Sequence, residues 1–506
     1  MSFQARKAQR QARERACVTR APLNEPRVTP TYALEGTPLS LETTPSHGRG
    51  LCIAAGSGGV AAGTTLLVAA AWKQARHRDE CEALQRWYGG ADMVPDLDRD
   101  PGPSVRLLAQ LLWQRRRQKS AWWAPFAAMQ SHRLQASAAQ KEEAANVAVR
   151  VAKFVGTESE FRALGIDNAK ALLELVCQYQ TNAFTLTDAQ LDPIGAAVNP
   201  TVALLNHSCA PNAVVVFPSA TNNVRCCMEV VALRDIAEGE PVYTSYVDLA
   251  APVSVRQQTL RERYYFSCEC PLCMRDRWMD PRTVRWCVRS DCDGWMMPSQ
   301  GRRGPRCNQC RASETDGAAR EALIEEALQL VAPIHRGMHT QLDDALQAQL
   351  RALLPRLSAV VPPSHYAMWT LVHAAHVIAI ERHDWDEACQ LTMLLCAGMQ
   401  ARGARTEPSS LYPVGHPQRA VLLATLGRLL LQAELTSTPS PLLARPVPLP
   451  SSKEVRAQLA HDVLQQALRE AQLGFGSRTR GGWVAESVRD SLQNLERAWT
   501  VHRPGL

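Results

Sequence analysis

A chain of 506 residues with 46% hydrophobic and 21% charged content is globular, with length for about two to four domains, each with its own core; this excludes a disordered polyampholyte. Its net charge of +7 permits an acidic partner but does not demand nucleic acid. Sixteen cysteines with no secretory signal ahead of them point to reduced thiols and metal sites rather than a disulfide framework.

Residues 1–30 read as a basic, disordered arm, with Arg6, Lys7, Arg10, Arg13, Arg15 and Arg20 against Glu14. An Arg-rich organelle presequence is the alternative. Leu51 to Trp72 carries no charge and is long enough to span a bilayer. Gly56, Gly58, Gly59 and Gly63 fit two strands around a glycine-rich turn better than a membrane helix. From Arg76 to Gln178 the pattern is helical. Val105, Leu108, Leu111 and Leu112 share one face, Ala171, Leu172, Leu175 and Val176 another, and "AAQKEEAANVAVRVAKF" between them predicts an amphipathic helix. Strand signals return at Phe184 to Leu186, Ala213 to Phe217 and Val224 to Leu233, and "AEGEPVYTSYVDL" gives a turn and a further strand. Ser254 and Gln257 have the spacing of a capping box for a helix ending near Tyr265.

Cysteine pairs then dominate. "FSCECPLC" sets Cys268, Cys270 and Cys273 close enough to reach one zinc ion, but a closed structural site needs a fourth ligand. Cys209, in the polar stretch "LLNHSCAPN", is the leading candidate; a cysteine of the following ribbon is the alternative. "WCVRSDCDGW" and "RCNQC" place Cys287, Cys292, Cys307 and Cys310 as C-x4-C and C-x2-C pairs separated by fourteen residues, a zinc-ribbon spacing. Past Ala318 the chain predicts about six or seven antiparallel helices without a clean repeat, interrupted by the proline-rich "TSTPSPLLARPVPLPSS".

"NHSCAPN", "GEPVYTSYVDL" and "RERYYFSCECPLC", in that order, resemble the SET domain of protein-lysine methyltransferases. The helical insertion before Asn206 and the helical C-terminal part resemble the SET-and-MYND branch. "HGRGL" at His47 to Leu51 is similar to the family's first cofactor loop, and "TNAFTL" at Thr181 to Leu186 to the segment before its Asn-His motif. The resemblance implies an α+β fold: a SET β-fold of short strands with a helical insertion, a zinc-binding post-SET region and an all-α, TPR-like C-terminal domain. The implied divisions are residues 31–75 for the N-terminal part of the SET domain and 76–180 for the insertion with a degenerate MYND remnant. Residues 181–250 form the C-terminal SET core, 251–315 the post-SET region with the second ribbon, and 316–506 the helical domain.

The resemblance further implies S-adenosylmethionine as cofactor, held by Arg49, Gly50, Asn206, His207 and Phe266, with the backbone of His207 rather than its imidazole meeting the adenine. Tyr246 and Tyr264 would line the lysine channel, the Tyr246 hydroxyl orienting the amine without acting as a base. Cys209 would complete the zinc site, tying its loop to the lobe that carries Phe266. The chain departs from the branch in its MYND module. Only "WKQARHRDECEAL" resembles it, and His77 and Cys81 cannot close a zinc site by themselves. Gly63-Thr64 stands where a glutamate is usual, and His132 falls at the position of a cofactor-contacting asparagine. The expected protein is a cytoplasmic or nuclear monomer that methylates protein lysines, with no membrane and no nucleic acid as primary partner. The alternative is a non-catalytic SET-like scaffold that binds partners through its helices.

Overall fold

The computed structural model describes residues 32–44, 47–70, 77–89, 100–118, 120–218, 227–274, 280–297, 304–335, 344–400, 410–432, 435, 443–444, 449–450 and 452–502. The basic arm, Cys17, Cys226 and most of the proline-rich run lie outside the described residues.

Short strands carry the first half. β1 (Leu39–Thr44) and β2 (Gly48–Ile53) form an antiparallel hairpin. β3 (Thr65–Ala70) follows the glycine-rich turn, so the uncharged stretch does form two strands. The chain then leaves the β-region for helices α1 (His77–Gly89), α2 (Gly102–Arg117), α3 (Ser120–Ala127), α4 (Ala138–Val155), α5 (Glu158–Ala163) and α6 (Ala169–Asn182). The apolar faces read from the sequence pack together here: Val105, Leu108, Leu111 and Leu112 meet Leu172, Leu175 and Val176 in one core. Ser137 and Gln140 cap α4 reciprocally, which fixes where this helix starts.

The chain returns as β4 (Phe184–Thr187) paired with β5 (Pro193–Ala197), then β6 (Asn206–His207), β7 (Ala213–Val216), β8 (Cys227–Ala232) and β9 (Tyr243–Thr244). β8 lies between β3 and β7, so strands far apart in sequence close one sheet over a core of Leu51, Ile53, Leu67, Leu205, Met228 and Val230. β6 and β9 pair in parallel, Asn206 opposite Tyr243 and His207 opposite Thr244. That pairing brings the Asn-His stretch beside the segment that carries Tyr246.

α7 (Val253–Tyr264) does not begin with the expected capping box. Its N-cap is Pro252, with no side-chain cap bond, and Ser254 lies within its first turn. Gln257 instead brackets Cys268: the Cys268 N–H donates to Gln257 Oε1 at 3.0 Å, and Gln257 Nε2 donates to the Cys268 carbonyl at 2.6 Å. The spacing fitted a cap, but the side chain finds better partners in a loop that must be held against α7.

After α8 (Pro271–Met274) come the short antiparallel strands β10 (Arg285–Trp286), β11 (Trp295–Met297) and β12 (Arg306–Cys307). The remaining described helices are α9 (Gly317–His335), α10 (Asp344–Val360), α11 (Tyr366–Glu381), α12 (Trp385–Met399), α13 (Pro417–Leu430), α14 (Lys453–Gly474) and α15 (Gly482–His502). Their core includes Ala388, Leu391, Leu395, Met399, Leu422, Leu426, Leu429 and Leu430, the faces expected from periodicity. Buried ion pairs fix this half. Arg419 on α13 donates to Glu470 on α14 at 2.8 Å, and Glu470 also accepts the Gly415 N–H at 2.5 Å. No described helix is long and apolar enough to cross a membrane.

Two helices begin with buried histidines. His365 Nδ1 accepts the Ala367 N–H and His416 Nδ1 accepts the Gln418 N–H, both at 3.2 Å. A protonated ring could not accept these bonds. Burial, with Arg285 beside His365 and Arg419 beside His416, lowers each from 6.5 to about 3. The unfolded chain binds these protons and the folded chain resists them, so this stability is fully present above about pH 6.5 and is lost as pH falls toward about 3. At about pH 5 the loss should be about 2 kcal/mol per histidine. Urea midpoints at neutral pH and about pH 5 check this: His365→Asn/His416→Asn should flatten the difference, and an unchanged difference would show that other groups carry it.

Candidate functional site

The end of α7 turns sharply, because Tyr265 adopts a left-handed conformation (φ 65°), and the chain then delivers Phe266, Cys268, Cys270 and Cys273. Cys209 approaches from the loop after β6. The four sulfur atoms lie within 4.8 Å of one another, with Cys273 Sγ 3.5 Å from Cys209 Sγ. Four thiols at this separation could hold one tetrahedral ion. Arg256 is buried beside them, its Nη2 3.8 Å from Cys273 Sγ and its Nη1 donating to the Ala251 carbonyl at 2.5 Å. The guanidinium offsets negative charge that four thiolates would place in a buried volume. Nothing in the sequence marks Arg256, since it is one of several arginines along α7.

His207 connects this cluster to the aromatic residues. Its Nδ1 accepts the Tyr246 backbone N–H at 2.9 Å, so in the neutral ring the proton sits on Nε2, which lies 3.2 Å from Cys209 Sγ. Burial lowers His207 to about 4, which keeps the ring neutral near pH 7. The imidazole centroid is 5.2 Å from the Tyr246 ring and 5.9 Å from the Phe266 ring, and the Tyr246 and Tyr264 rings are 4.8 Å apart. The resemblance implies a role for the His207 backbone rather than for this imidazole. A parallel pairing of two-residue strands, invisible to periodicity, places it at the centre.

The Tyr246 hydroxyl donates to the Leu205 carbonyl at 2.5 Å. Its one proton is thereby committed, and the phenol oxygen is left to accept. Burial pushes both the Tyr246 and Tyr264 phenols upward. Neither is a base at neutral pH.

Asn206 lies against β2. Its Nδ2 donates to the Arg49 carbonyl at 3.2 Å, and a Cβ on Gly50 would collide with that amide nitrogen. Glycine leaves the Asn206 amide in place there, where any larger residue would push it aside. Arg49 is exposed, with Nη2 3.4 Å from the Ala128 carbonyl of the insertion. His132, also of the insertion, has φ 49°, and its ring lies 5.2 Å from that of Tyr265, tilted by 32°. Gln140 Nε2 donates to the Glu262 carbonyl at 2.5 Å and so fastens α4 to α7.

Cys287, Cys292, Cys307 and Cys310 form a second group that could hold an ion. Cys287 Sγ is 3.5 Å from Cys310 Sγ, and Cys292 Sγ is 3.7 Å from Cys307 Sγ. The backbone N–H groups of Arg289, Gly294 and Gln309 each point to one of these sulfurs at 3.4 Å, an arrangement that favours thiolate. These two groups are the ones found among the described residues. Cys81 lies on α1 with Gln85 Nε2 3.8 Å from its sulfur and belongs to neither; the His77 side chain is outside the described residues.

A cavity of about 310 Å³ opens between the strands and the helical half, lined by Ser245 and Val247 on either side of Tyr246 in sequence. Phe184, Val215, Ser245 and Asp248 line one side, Tyr412 and His416 the other. The Tyr412 hydroxyl donates to Asp248 Oδ1 across it at 3.0 Å.

Residues 76–247 match the SET domain family. The N-lysine methyltransferase SMYD2 of Gallus gallus is 27% identical over 321 residues, 62% of this chain and 63% of that protein. The N-lysine methyltransferase SMYD2-B of Danio rerio is 43% identical over 110 residues, 22% of this chain and 24% of that protein. The Homo sapiens SMYD2 is 28% identical over 228 residues, 45% and 46% of the two chains. The chain thus spans less than two thirds of the length of the curated relatives it matches. Residues 76–247 thus carry the similarity to the SET domain, and the relatives that the chain resembles over longer stretches are N-lysine methyltransferases.

Proposed function

We propose that the chain is a protein-lysine N-methyltransferase that uses S-adenosylmethionine. The observation that carries this reading is the meeting of three segments remote in sequence. The Gly50 backbone lies against the Asn206 amide, and the next residue, His207, sets its imidazole beside the rings of Tyr246 and Phe266, with Tyr264 against Tyr246.

The residues fit the cofactor. Glycine at position 50 keeps a Cβ out of the cradle beside Asn206, and Phe266 offers a ring face for an adenine. Asn206 would hold the amino-acid end, with Arg49 at the rim. When bound, the cofactor supplies an electrophilic methyl group on a sulfonium. What the chain must do is align and desolvate. A lysine side chain has a pKa near ~10.4, so at about pH 7.4 only about one in a thousand is neutral, a cost of about 4 kcal/mol. A buried pair of tyrosines disfavours the ammonium and reduces that cost. The Tyr246 oxygen, its own proton held by Leu205, accepts an N–H of the incoming amine and fixes its direction. The cavity flanked by Ser245 and Asp248 would receive the polypeptide around that lysine. Zinc at the first cysteine cluster would be structural, with no open coordination position for chemistry.

Calorimetric titration of S-adenosylmethionine tests the reading. The wild-type chain should bind it, and Gly50→Ala, which forces the Asn206 amide aside, should weaken binding at least about tenfold, or about 1.4 kcal/mol. A folded wild-type chain that does not bind the cofactor would leave the scaffold as the better account.

A further inference from the structure

We propose that Cys287, Cys292, Cys307 and Cys310 bind one zinc ion and that this metal sets the spacing between the two walls of the groove lined by Asp248, Leu249 and Tyr412. The proposal rests on the reading of that groove as the substrate site, but its metal and its clamp can be measured without any activity.

The donor set selects the metal. Four thiolates at mutual contact with three backbone N–H groups aimed at their sulfurs suit a thiophilic, tetrahedral ion. On binding, each thiol gives up its proton to solvent. Gly294 is required: a Cβ there would lie 2.5 Å from Cys307 Sγ. The ribbon has almost no other means of folding. Its buried apolar set is Cys287, Cys292, Met296 and Cys307, with Ala312 packed against it, and its strands are two or three residues long. Such a unit needs a metal to hold its shape.

The ribbon's neck is where the two halves of the molecule are joined. Arg282, three residues before β10, is buried at 2% exposure. Its Nε donates to the Leu249 carbonyl at 2.7 Å, on the strand-side wall, and its Nη2 donates to the Leu411 carbonyl at 3.0 Å, on the helical wall. Leu249 and Tyr412, next to Leu411, both line the groove. The Arg282 carbonyl accepts the Tyr366 N–H at 3.0 Å, and Ser364 Oγ donates to the Pro281 carbonyl at 3.0 Å, which fixes the start of α11 to the same segment. Arg285, on β10 itself, donates to the buried carboxylate of Glu314 at 2.9 Å, and Arg320 on α9 donates to the same carboxylate at 2.9 Å. Glu314 is where the chain leaves the ribbon. Entry and exit are therefore pinned together, and the metal closes what lies between them. An ordered ribbon holds Arg282 in place, and Arg282 holds Leu249 and Leu411 at one separation.

The experiment uses the full chain carrying Cys307→Ser and Cys310→Ser. Zinc measured by mass spectrometry should fall from two ions to one per chain. Hydrogen exchange should quicken at least about tenfold at amides 249–251 and 410–418, while those of Leu422 to Leu430 within α13 stay protected. Cofactor affinity by calorimetry should stay within about twofold of wild type. Arg282→Lys supplies the second arm: it should keep both zinc ions and show the same quickened exchange, because one ammonium cannot reach both carbonyls in the geometry of the guanidinium fork. Two zinc ions retained in the double variant would remove the metal site. One zinc lost with unchanged exchange, or unchanged exchange in Arg282→Lys, would remove the clamp. A wild-type chain that fails to bind S-adenosylmethionine would overturn the proposed activity and leave these readouts intact.

Discussion

Tyr246→Phe is expected to lower kcat by roughly ten- to a hundredfold while the cofactor dissociation constant changes by less than about twofold. The ring survives, so its packing at 4.8 Å from Tyr264 and 5.2 Å from His207 is kept. Only the hydroxyl is lost, and with it the bond to the Leu205 carbonyl. That bond orients an oxygen whose remaining capacity is to accept. If the oxygen aligns the amine, its absence is felt mainly in the transition state, so kcat falls more than binding. A positioned hydrogen bond is worth about 1.5–3 kcal/mol, which gives the stated range. The bereaved Leu205 carbonyl adds about 1 kcal/mol of lost stability, measurable by urea unfolding. Steady-state kinetics and calorimetry together decide the matter. Wild-type kcat in the variant would leave Tyr246 as packing alone.

Cys268→Ser should cost more. The four sulfurs of the first cluster come from two segments, the loop after β6 and the turn after α7. One ion there would tie Asn206 and His207 to Phe266. Serine is a poor zinc ligand, so the chain should lose one zinc. The Cys209 loop then has no fixed partner, and His207 loses its acceptor at 3.2 Å. Arg256 would remain buried beside thiols no longer held as anions, and an uncompensated buried charge costs about 3–5 kcal/mol. Cofactor affinity should fall at least about a hundredfold, which is about 2.7 kcal/mol. Zinc analysis and calorimetry on the same sample check this; unaltered affinity in a chain that has lost the ion would show that the cluster does not position either wall.

The ribbon cysteines and the Cys268, Cys270 and Cys273 triplet were legible because their spacings are short and fixed, Cys209 only with the help of the resemblance, and the helical faces because burial imposes a 3.6-residue period on apolar residues. Asn206, Tyr246 and Phe266 were legible through resemblance, not through any pattern of their own. What the sequence hid is non-local. Arg256 and Arg282 look like surface arginines until the fold buries them. Gln257 had the spacing of a cap, yet its amide binds both backbone groups of Cys268. The groove wall formed by Tyr412 and His416 lies far along the chain from Asp248, which it faces. No local signal announces that pairing, because the distance is closed by Arg282 and by seven described helices packed as a unit.

In the proposed activity the chain transfers a methyl group from S-adenosylmethionine to a protein lysine. The most direct measurement incubates the purified full chain with cofactor labelled in its methyl group and with a cell extract, then locates the label by mass spectrometry. Label is expected on lysine side chains of specific proteins, reduced with Gly50→Ala at limiting cofactor and strongly reduced with Tyr246→Phe. A folded, zinc-loaded, cofactor-binding chain that labels no lysine in any protein of the extract would contradict it.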